Sequence, residues 1–269
     1  MKPKRRFRVP IYADCLSPNV FAGKELVEIM KLRVWEGNKK RALRDLFEVD
    51  GEPNSSPRAI TLRISGDLRK VRMIGANMTD GKIIVKGNVG MRIGEKMSGG
   101  EILVEGNVDS WAGCMMTGGR LEVKGSAGDY LGASYRGSRK GMSGGEIVVH
   151  GNVGNEAGCF MRGGVIKIFG NSGGFLGVHM SGGEIVVKGN CNEYPGAGML
   201  DGKIVICGLV SSIVPTFTIE DIKETVKVNG EKIMGPFYRF IGDIADHGHG
   251  RLYISKNRNL HLKSYERYL

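Results

Sequence analysis

The most regular feature of the chain is an alternation of apolar and polar positions that recurs at a fixed interval. A unit of the form G-x-x-M-x-x-G-x-[IL]-x-[IV]-x-G occurs seven times, with Arg139 replacing the first glycine of the fourth copy. The copies span 75–87, 94–106, 113–125, 139–151, 158–170, 177–189 and 196–208. Their last residues alternate with the two-residue period of an extended chain, so each unit predicts one short strand. The period is 19 residues, and only the fourth unit is longer, by seven.

Equivalent strand positions form columns if successive units stack on one another. The first aliphatic column contains Ile83, Ile102, Leu121, Ile147, Ile166, Ile185 and Ile204. The second contains Val85, Val104, Val123, Val149, Ile168, Val187 and Ile206. These columns predict the core of an all-β fold, a right-handed parallel β-helix of about seven 19-residue rungs spaced about 4.8 Å apart. Leucine-rich repeats have similar periods, but their Leu/Asn consensus is missing here.

Other columns are consistent with the same register. The first outward column mostly alternates in charge, as facing side chains on neighbouring strands prefer: Lys82, Glu101, Arg120, Glu146, Val165, Glu184 and Lys203. An asparagine column, interrupted by Ser126, predicts rung-to-rung hydrogen bonds at one corner: Asn88, Asn107, Asn152, Asn171 and Asn190. The repeated methionines predict a column of core side chains rather than a soft-metal site: Met78, Met97, Met116, Met142, Met161, Met180 and Met199.

The middle outward column is unexpectedly apolar for a face that should meet water. Five of its seven members are aliphatic: Ile84, Leu103, Glu122, Val148, Lys167, Val186 and Val205. Either the flanks of this chain fold back over the face or a partner protein packs on it, because exposed apolar patches of this size are uncommon in monomers. We therefore take Ile84, Leu103, Val148, Val186 and Val205 as candidate partner contacts.

The seven extra residues of the fourth unit predict a side loop between Gly132 and Met142. The loop displays Tyr135, Arg136, Arg139 and Lys140, and tyrosine and arginine often carry the binding energy of interfaces. The sequence favours a docking loop, with a plain solvated loop as the alternative.

The flanks of the repeat are poor in glycine and of mixed pattern. Residues 1–65 are interpreted as an N-terminal capping and partner-contact segment, 66–208 as the repeat domain, and 209–269 as a C-terminal cap and tail. A solenoid needs caps because its end rungs expose unpaired backbone. Short helices are predicted from Lys39 to Phe47 and from Thr218 to Val226, with an extended stretch around Tyr238 to Ile241.

Composition and charge exclude several classes of protein. The 269 residues are 41% hydrophobic, 25% charged and only 7% aromatic, with 43 glycines, which excludes both global disorder and collagen. The net charge of +11 includes a basic N-terminus that suits an acidic protein surface or nucleic acid, but no aromatic interleaving supports base stacking. No membrane span or signal peptide is predicted, and five cysteines indicate a reducing, cytoplasmic location.

The sequence predicts no catalytic, cofactor-binding or metal-binding residue in this chain. There is no C-x-x-C pair, P-loop or G-x-S-x-G motif. Cys114 and Cys159 occupy equivalent positions two rungs apart, too far for a disulfide, and are interpreted as core residues. His247 and His249 form an H-x-H beside Asp246, but two ligands do not make a metal site.

Three sequence motifs carry a resemblance to known families. The spacing Gly87-x-x-Gly90-x-x-x-Gly94 resembles the C-terminal β-helix domain of glutamate synthase large subunits, whose other domains have no room in this chain. Together with Phe21-Ala22-Gly23-Lys24 and Val34-Trp35-Glu36-Gly37-Asn38, the length and the methionine repeat are similar, over nearly the entire chain, to the C subunits of the tungsten or molybdenum formylmethanofuran dehydrogenases.

The resemblance implies a role inside a larger enzyme. That complex reduces CO2 and fixes it as formylmethanofuran, the first step of methanogenesis from CO2. The resemblance assigns the tungsten or molybdenum pterin, the iron–sulfur clusters and a dinuclear metal site to other subunits, namely a metallopterin subunit, an amidohydrolase-like subunit and ferredoxin-like subunits. This chain is then expected to be a non-catalytic scaffold that binds neither nucleic acid nor membrane.

Other functions stay open at this point. The equivalent subunit of a bacterial formyltransferase/hydrolase complex has the same repeat, and the two complexes differ in a partner subunit. A stand-alone β-helix protein that binds or cleaves polysaccharide would need a carboxylate cluster in an open groove. A nucleic-acid-binding module would show steeply salt-dependent binding.

Overall fold

The computed structural model describes residues 1–269 and consists mostly of strands. The strands before the first repeat unit are β1 Lys2–Pro3, β2 Ile11–Tyr12, β3 Arg33–Glu36, β4 Lys39–Ala42, β5 Phe47–Glu48, β6 Thr61–Ser65 and β7 Val71–Arg72. Those of the repeat are β8 Lys82–Lys86, β9 Glu101–Val104, β10 Arg120–Val123, β11 Ser143–Val149, β12 Arg162–Ile168, β13 Ser181–Val187 and β14 Asp201–Ile206. The C-terminal strands are β15 Thr218–Val228, β16 Glu231–Gly242 and β17 Gly250–Ser255.

Helices are few and short. They are α1 Pro18–Phe21, α2 Leu26–Met30 and α3 Leu43–Leu46, with 3-10 turns at Pro57–Ala59, Ile244–Asp246 and Leu260–Tyr268. No helix combines the length and the apolar character that crossing a bilayer requires.

The repeat forms a parallel β-solenoid of about eight turns. Strands β6 and β8 to β14 pair in parallel, each with the strand one turn away, and β17 adds a further parallel strand after β14. A second line of bridges links the turns on another side, running from Leu68↔Val89 to Cys191↔Val210. The sequence predicted about seven rungs. The additional turn begins with strand β6, which lies before the predicted start of the repeat domain at residue 66. No glycine–methionine unit marks this turn in the sequence.

The solenoid interior is filled by the predicted columns. Both aliphatic columns are buried in every turn, and the seven repeat methionines are fully buried beside them. This confirms that the methionines are core side chains. Glycine is needed where turns approach closely: a Cβ on Gly163 would lie 2.5 Å from the carbonyl oxygen of Ser143.

Polar columns connect the turns along the outside. Lys82 pairs with Glu101 at 2.8 Å, Arg120 pairs with Glu146, and Lys203 pairs with Glu184 at 2.5 Å, which confirms the alternating charges. The asparagine column is also confirmed, because each side-chain oxygen accepts the backbone N–H of the residue one turn on. For example, the N–H of Asn171 donates to the side-chain oxygen of Asn152 at 2.8 Å.

Ser126 continues the asparagine column rather than interrupting it. Its backbone N–H donates to the side-chain oxygen of Asn107 at 2.7 Å, and its hydroxyl accepts the N–H of Asn152 at 3.1 Å. A serine oxygen therefore replaces the amide oxygen, and the column of hydrogen bonds is unbroken.

The N-terminal segment is less helical than predicted. Strands β2, β3, β4 and β7 form a four-stranded sheet, and β1 pairs with β5. Within the predicted helix from Lys39 to Phe47, only α3 is helical, because Lys39–Ala42 pairs with Arg33–Glu36 as strand β4. The prediction was therefore wrong for half of this segment.

The predicted helix from Thr218 to Val226 is wrong. The segment is strand β15, which forms a long antiparallel hairpin with β16, and β16 pairs with β17. Two irregularities shift the register of β15, between Ile219 and Asp221 and between Lys223 and Thr225. Ile219, half-buried Ile222 and Val226 are spaced by three and four residues, as in a helix, and the register shifts accommodate this spacing in a strand. The extended stretch around Tyr238 to Ile241 is confirmed as part of β16.

Candidate partner interface

One corner of the solenoid carries large side chains on backbone of positive φ. Seven residues at equivalent positions have φ between 56° and 66°: Met73, Arg92, Trp111, Tyr130, Glu156, Phe175 and Tyr194. We call this set the corner column. Non-glycine residues adopt this conformation only where surrounding contacts hold it, and here each turn of the solenoid imposes it. The sequence did not predict the corner column, although the repeat spacing aligns its positions, because its residue types vary from turn to turn.

Aromatic rings stack along the corner column. The rings of Trp111 and Tyr130 lie 4.6 Å apart and nearly parallel, at 9°. Tyr135 meets Trp111 edge-on at 5.7 Å. Further along the column, Phe175 and Tyr194 lie 5.6 Å apart and remain exposed. Burial and the Glu156 carboxylate raise the pKa of Tyr130, so its hydroxyl stays neutral.

The insertion loop, residues 133–141, leaves the solenoid without disturbing its register. In the other turns, the N–H of the repeat methionine donates to the carbonyl oxygen of the glycine three residues earlier, as from Met116 to Gly113 at 3.2 Å. Met142 donates to Gly132 at 2.9 Å across the inserted residues. Gly132 has φ of 64° and therefore takes the place that sequence alignment gave to Arg139. The fourth unit keeps its glycine because the insertion follows it.

The start and end of the loop are tied to the next turn. The N–H of Ser134 donates to the carbonyl oxygen of Cys159 at 3.0 Å, and that of Gly141 donates to Phe160 at 2.9 Å. Both ends thus contact one turn of the solenoid, which fixes where the loop emerges.

Two arginines hold the loop against the corner column. The Arg92 guanidinium lies 4.3 Å from the ring centre of Tyr135, and that of Arg136 lies 5.4 Å from the ring of Trp111. Arg92 also donates to buried Glu95 at 2.6 Å. Burial opposes the charge on Arg92, but the hydrogen bond and charge of Glu95 outweigh it and raise the pKa. The cation–π contact of Arg92 with Tyr135 therefore persists at all ordinary pH values.

The outer part of the loop is basic and unpaired. Arg136, Arg139 and Lys140 are exposed, and none forms an ion pair within the chain. Of the four predicted loop residues, Tyr135 alone is half-buried. Arg139 and Lys140 thus form a charged tip beside the Tyr135 anchor, and Arg136 belongs to both, because it also lies over Trp111.

The middle outward column divides into a covered part and an open part. Val186 and Val205 are buried against Val226, Ile233 and Phe237 of the β15–β16 hairpin. Val148 is also buried, whereas Ile84 and Leu103 are half-buried. The chain's own hairpin therefore covers the C-terminal valines, so they no longer require a partner. Ile84 and Leu103 stay candidate contacts.

Polar contacts fix the hairpin on the solenoid. Lys167 pairs with Glu231 at 2.6 Å near the hairpin tip, and the Lys203 ammonium donates to the carbonyl oxygen of Lys227 at 2.8 Å. The N–H of Asn229 donates to Glu184 at 2.5 Å. These bonds join side chains of three successive turns to the hairpin.

The cysteines and histidines are dispersed. All five cysteines are free thiols, and burial raises the pKa of Cys15, Cys114, Cys159 and Cys191 to about 12. No group of three histidine, cysteine or acidic residues has the arrangement of a metal site. His247 ends a 3-10 turn with φ of 57° rather than lying on a strand, and His249 precedes β17. The H-x-H motif therefore lacks the strand geometry that would align its rings.

Sequence comparison places the chain among characterised proteins. It is 58% identical to the C subunit of tungsten-containing formylmethanofuran dehydrogenase 2 of Methanothermobacter thermautotrophicus, over 98% of each chain. The corresponding protein of Methanococcus maripaludis is 56% identical over 94% of this chain and 95% of its own. The C subunit of molybdenum-containing formylmethanofuran dehydrogenase 1 of Methanosarcina barkeri matches 34% of this chain at 41% identity. No family model matches.

Structural comparison agrees with the sequences. A chain in the crystal structure of the formyltransferase/hydrolase complex of Methylorubrum extorquens, solved with methylofuran, superposes with a TM-score of 0.83. The match covers 94% of this chain and 98% of that chain at 27% identity. The solenoid and both flanks are thus shared almost throughout. The chain belongs to the family of formylmethanofuran dehydrogenase C subunits.

Proposed function

We propose that this chain is the non-catalytic scaffold of a formylmethanofuran dehydrogenase complex. The observation that supports this most directly is that the repeat methionine and asparagine side chains and most thiols are buried or hydrogen-bonded within the chain. The repeat methionines fill the core, four thiols are held neutral by burial, and the asparagine oxygens accept backbone N–H groups. The outer surface is therefore the part of the chain that is available to bind other subunits, as expected of a scaffold.

The chemistry of the complex then resides in its partners. Reduction of CO2 and formation of formylmethanofuran would take place at a tungsten or molybdenum pterin, with electrons delivered through iron–sulfur clusters and a dinuclear metal site handling the formyl group. These groups belong to a metallopterin subunit, ferredoxin-like subunits and an amidohydrolase-like subunit. The candidate contacts on this chain are the insertion loop, with Tyr135, Arg136, Arg139 and Lys140, and the half-buried Ile84 and Leu103.

A second function is favoured by one observation. The structural neighbour belongs to a formyltransferase/hydrolase complex, and it shares almost the whole fold. The same scaffold would there serve a complex that carries a formyltransferase. The 58% identity to a tungsten dehydrogenase subunit, against 27% for this neighbour, favours the dehydrogenase.

Affinity purification of the tagged chain from its native cells, without oxygen, tests both. Mass spectrometry should identify a metallopterin subunit and an amidohydrolase-like subunit, and metal analysis should detect tungsten or molybdenum. A formyltransferase without either metal would support the second function. Recovery of the chain alone would contradict both.

The non-catalytic role needs a separate test. The exposed pair His247 and His249 offers the nearest resemblance to a ligand set, so H247A/H249A should leave the specific activity and metal content of the purified complex unchanged. A loss of activity with full recovery of the other subunits would show that this chain contributes to the chemistry.

A further inference from the structure

The insertion loop is anchored more firmly than a solvated side loop requires. Tyr135 is packed between the Arg92 guanidinium and the edge of Trp111, and Arg136 lies over Trp111 itself. Both loop ends are hydrogen-bonded to the turn that contains Cys159 and Phe160. Ordering a loop costs conformational entropy, and these contacts reduce the entropy that is lost when a partner binds.

The charge at the loop tip is of one sign. Residues 133–141 contain Arg136, Arg139 and Lys140 and no acidic residue. Carboxylates next to the supporting residues are engaged within the solenoid, since Glu95 pairs with Arg92 and Asp129 accepts the N–H of Asn155. Three cations on an ordered loop without internal counterions complement an acidic surface.

The aromatic side chains that support the loop favour a protein partner over a nucleic acid. Trp111 is only 8% exposed, with Tyr130 stacked on it and Arg136 lying over it. Little of the Trp111 ring is therefore left for a base to stack on, and such stacking is a main part of single-strand binding.

We infer that the insertion loop is the docking site for an acidic segment of another subunit, whose carboxylates pair with Arg136, Arg139 and Lys140. Arg92 and Glu95 act as positioning residues, since they hold Tyr135 and through it the loop. This inference rests on the proposed function, because it requires that the chain assemble with other subunits.

Zero-length cross-linking in the intact complex tests the inference. A carbodiimide joins a lysine amine to a carboxylate in ion-pair contact, so Lys140 should link to an aspartate or glutamate of another subunit. The R136K/R139K variant keeps the charge and adds two amines, and it should yield more links to the same partner peptide. Links should decrease when the complex is treated at high salt, because exposed ion pairs are screened.

The outcomes separate this inference from the proposed function. If the other subunits copurify but Lys140 stays unlinked, or links only to this chain or to a second copy, the docking inference is wrong while the scaffold function stands. If the chain purifies alone, both are wrong. If Lys140 is shielded until nuclease treatment, a nucleic acid occupies the loop and the inference is again wrong.

Charge reversal provides a matched comparison. R136E/R139E/K140E should reduce the recovery of partner subunits by roughly tenfold at low salt, because such charges mainly govern association. R251E/R258E/K263E makes the same charge change at exposed residues of the C-terminal cap and should have little effect. Equal losses for both variants would show that overall charge, not the loop, matters.

The positioning role of the corner has its own readout. Tyr135→Phe keeps the ring between Arg92 and Trp111 and should preserve the Lys140 cross-link. Tyr135→Leu removes the cation–π contact while leaving all three cations, so the cross-link yield should fall several-fold without a change in Tm. Equal yields for the two variants would contradict the positioning role.

Discussion

The two ends of the outer sheet face differ although the same repeat builds both. Near the N-terminal end, Ile84 and Leu103 are half-buried with no strand packed over them. Near the C-terminal end, Val186 and Val205 are buried beneath the hairpin. The repeat thus determines which residues face outward, but residues outside the repeat determine which of them meet water.

Charged residues mark the boundary between these two parts of the outer face. Glu122 and Lys167 are the only charged members of the middle outward column, and they lie in register on either side of Val148. Lys167 pairs with Glu231, at the start of β16. Lys167 therefore lies at the hairpin tip, whereas the apolar Val186 and Val205 lie beneath the hairpin.

The largest expected effect lies in the interior, where both ends of the solenoid are alike. Ile185→Ala should lower the free energy of unfolding by about 2–5 kcal/mol, because its side chain is fully buried and truncation leaves a cavity. Urea unfolding measures this loss. Ile84→Ala, the same change on the open outer face, should cost clearly less. A loss below about 0.5 kcal/mol for Ile185 would mean that the inward register is wrong.

The covered and open parts of the outer face should differ next. Val205→Ala removes two carbons beneath the hairpin and should cost about 2 kcal/mol, since its side chain is fully buried. Leu103→Ala removes three carbons from a half-buried position and should cost about 1 kcal/mol or less. Urea unfolding of both variants checks the order. If Leu103→Ala were the more costly, the hairpin would not shield Val205 in solution.

The asparagine column should be insensitive to the difference between the ends. Asn88→Ala and Asn171→Ala each remove an acceptor for the N–H one turn on, and both should cost about 1 kcal/mol. Asn192→Ala is a suitable control because the Asn192 side chain makes no hydrogen bond in the chain and is exposed. Unequal losses of unfolding free energy at residues 88 and 171, measured by urea unfolding, would show that the hairpin also stabilises the asparagine column.

The core and the register were predictable because each is repeated. A 19-residue period places every member of a column in the same environment. A residue that departs from the pattern in one turn therefore does not obscure the assignment that the other turns support. The aliphatic columns, the methionine column and the charge pairs such as Lys82–Glu101 were all predicted in this way. The family followed from the same repeat together with the flanking motifs.

The flanks were not predictable because nothing repeats there. Thr218–Val228 contains apolar residues at spacings that suit a helix, and only the register shifts of the strand explain them. Likewise, whether a partner or this chain covers Val186 and Val205 depended on the position of the hairpin. The local sequence pattern determines neither the conformation of residues 218–228 nor what covers the two valines.

The candidate interface was predicted in composition but not in construction. Tyr135, Arg136, Arg139 and Lys140 were identified because the insertion breaks the period. Their supports, Arg92 and Trp111, are 43 and 24 residues from Tyr135 along the chain and belong to other turns. Only the solenoid geometry brings them together, so sequence reasoning could name the loop without its anchor.

The smallest expected effect concerns Glu122, at the boundary of the two parts. Hydrogen bonds from Lys124, His150 and Arg120 lower the pKa of Glu122 from 4.5 to about 2. Because the folded pKa is lower than the unfolded one, the stabilisation is fully present above about pH 4.5 and is lost as the pH falls toward 2. Glu122→Gln removes this dependence, so the difference in Tm between the native protein and the variant should shrink across that range. The effect should stay below about 1 kcal/mol and weaken in high salt, since these partners are partly exposed. A difference that instead grew on acidification would mean that the boundary carboxylate is not paired in solution.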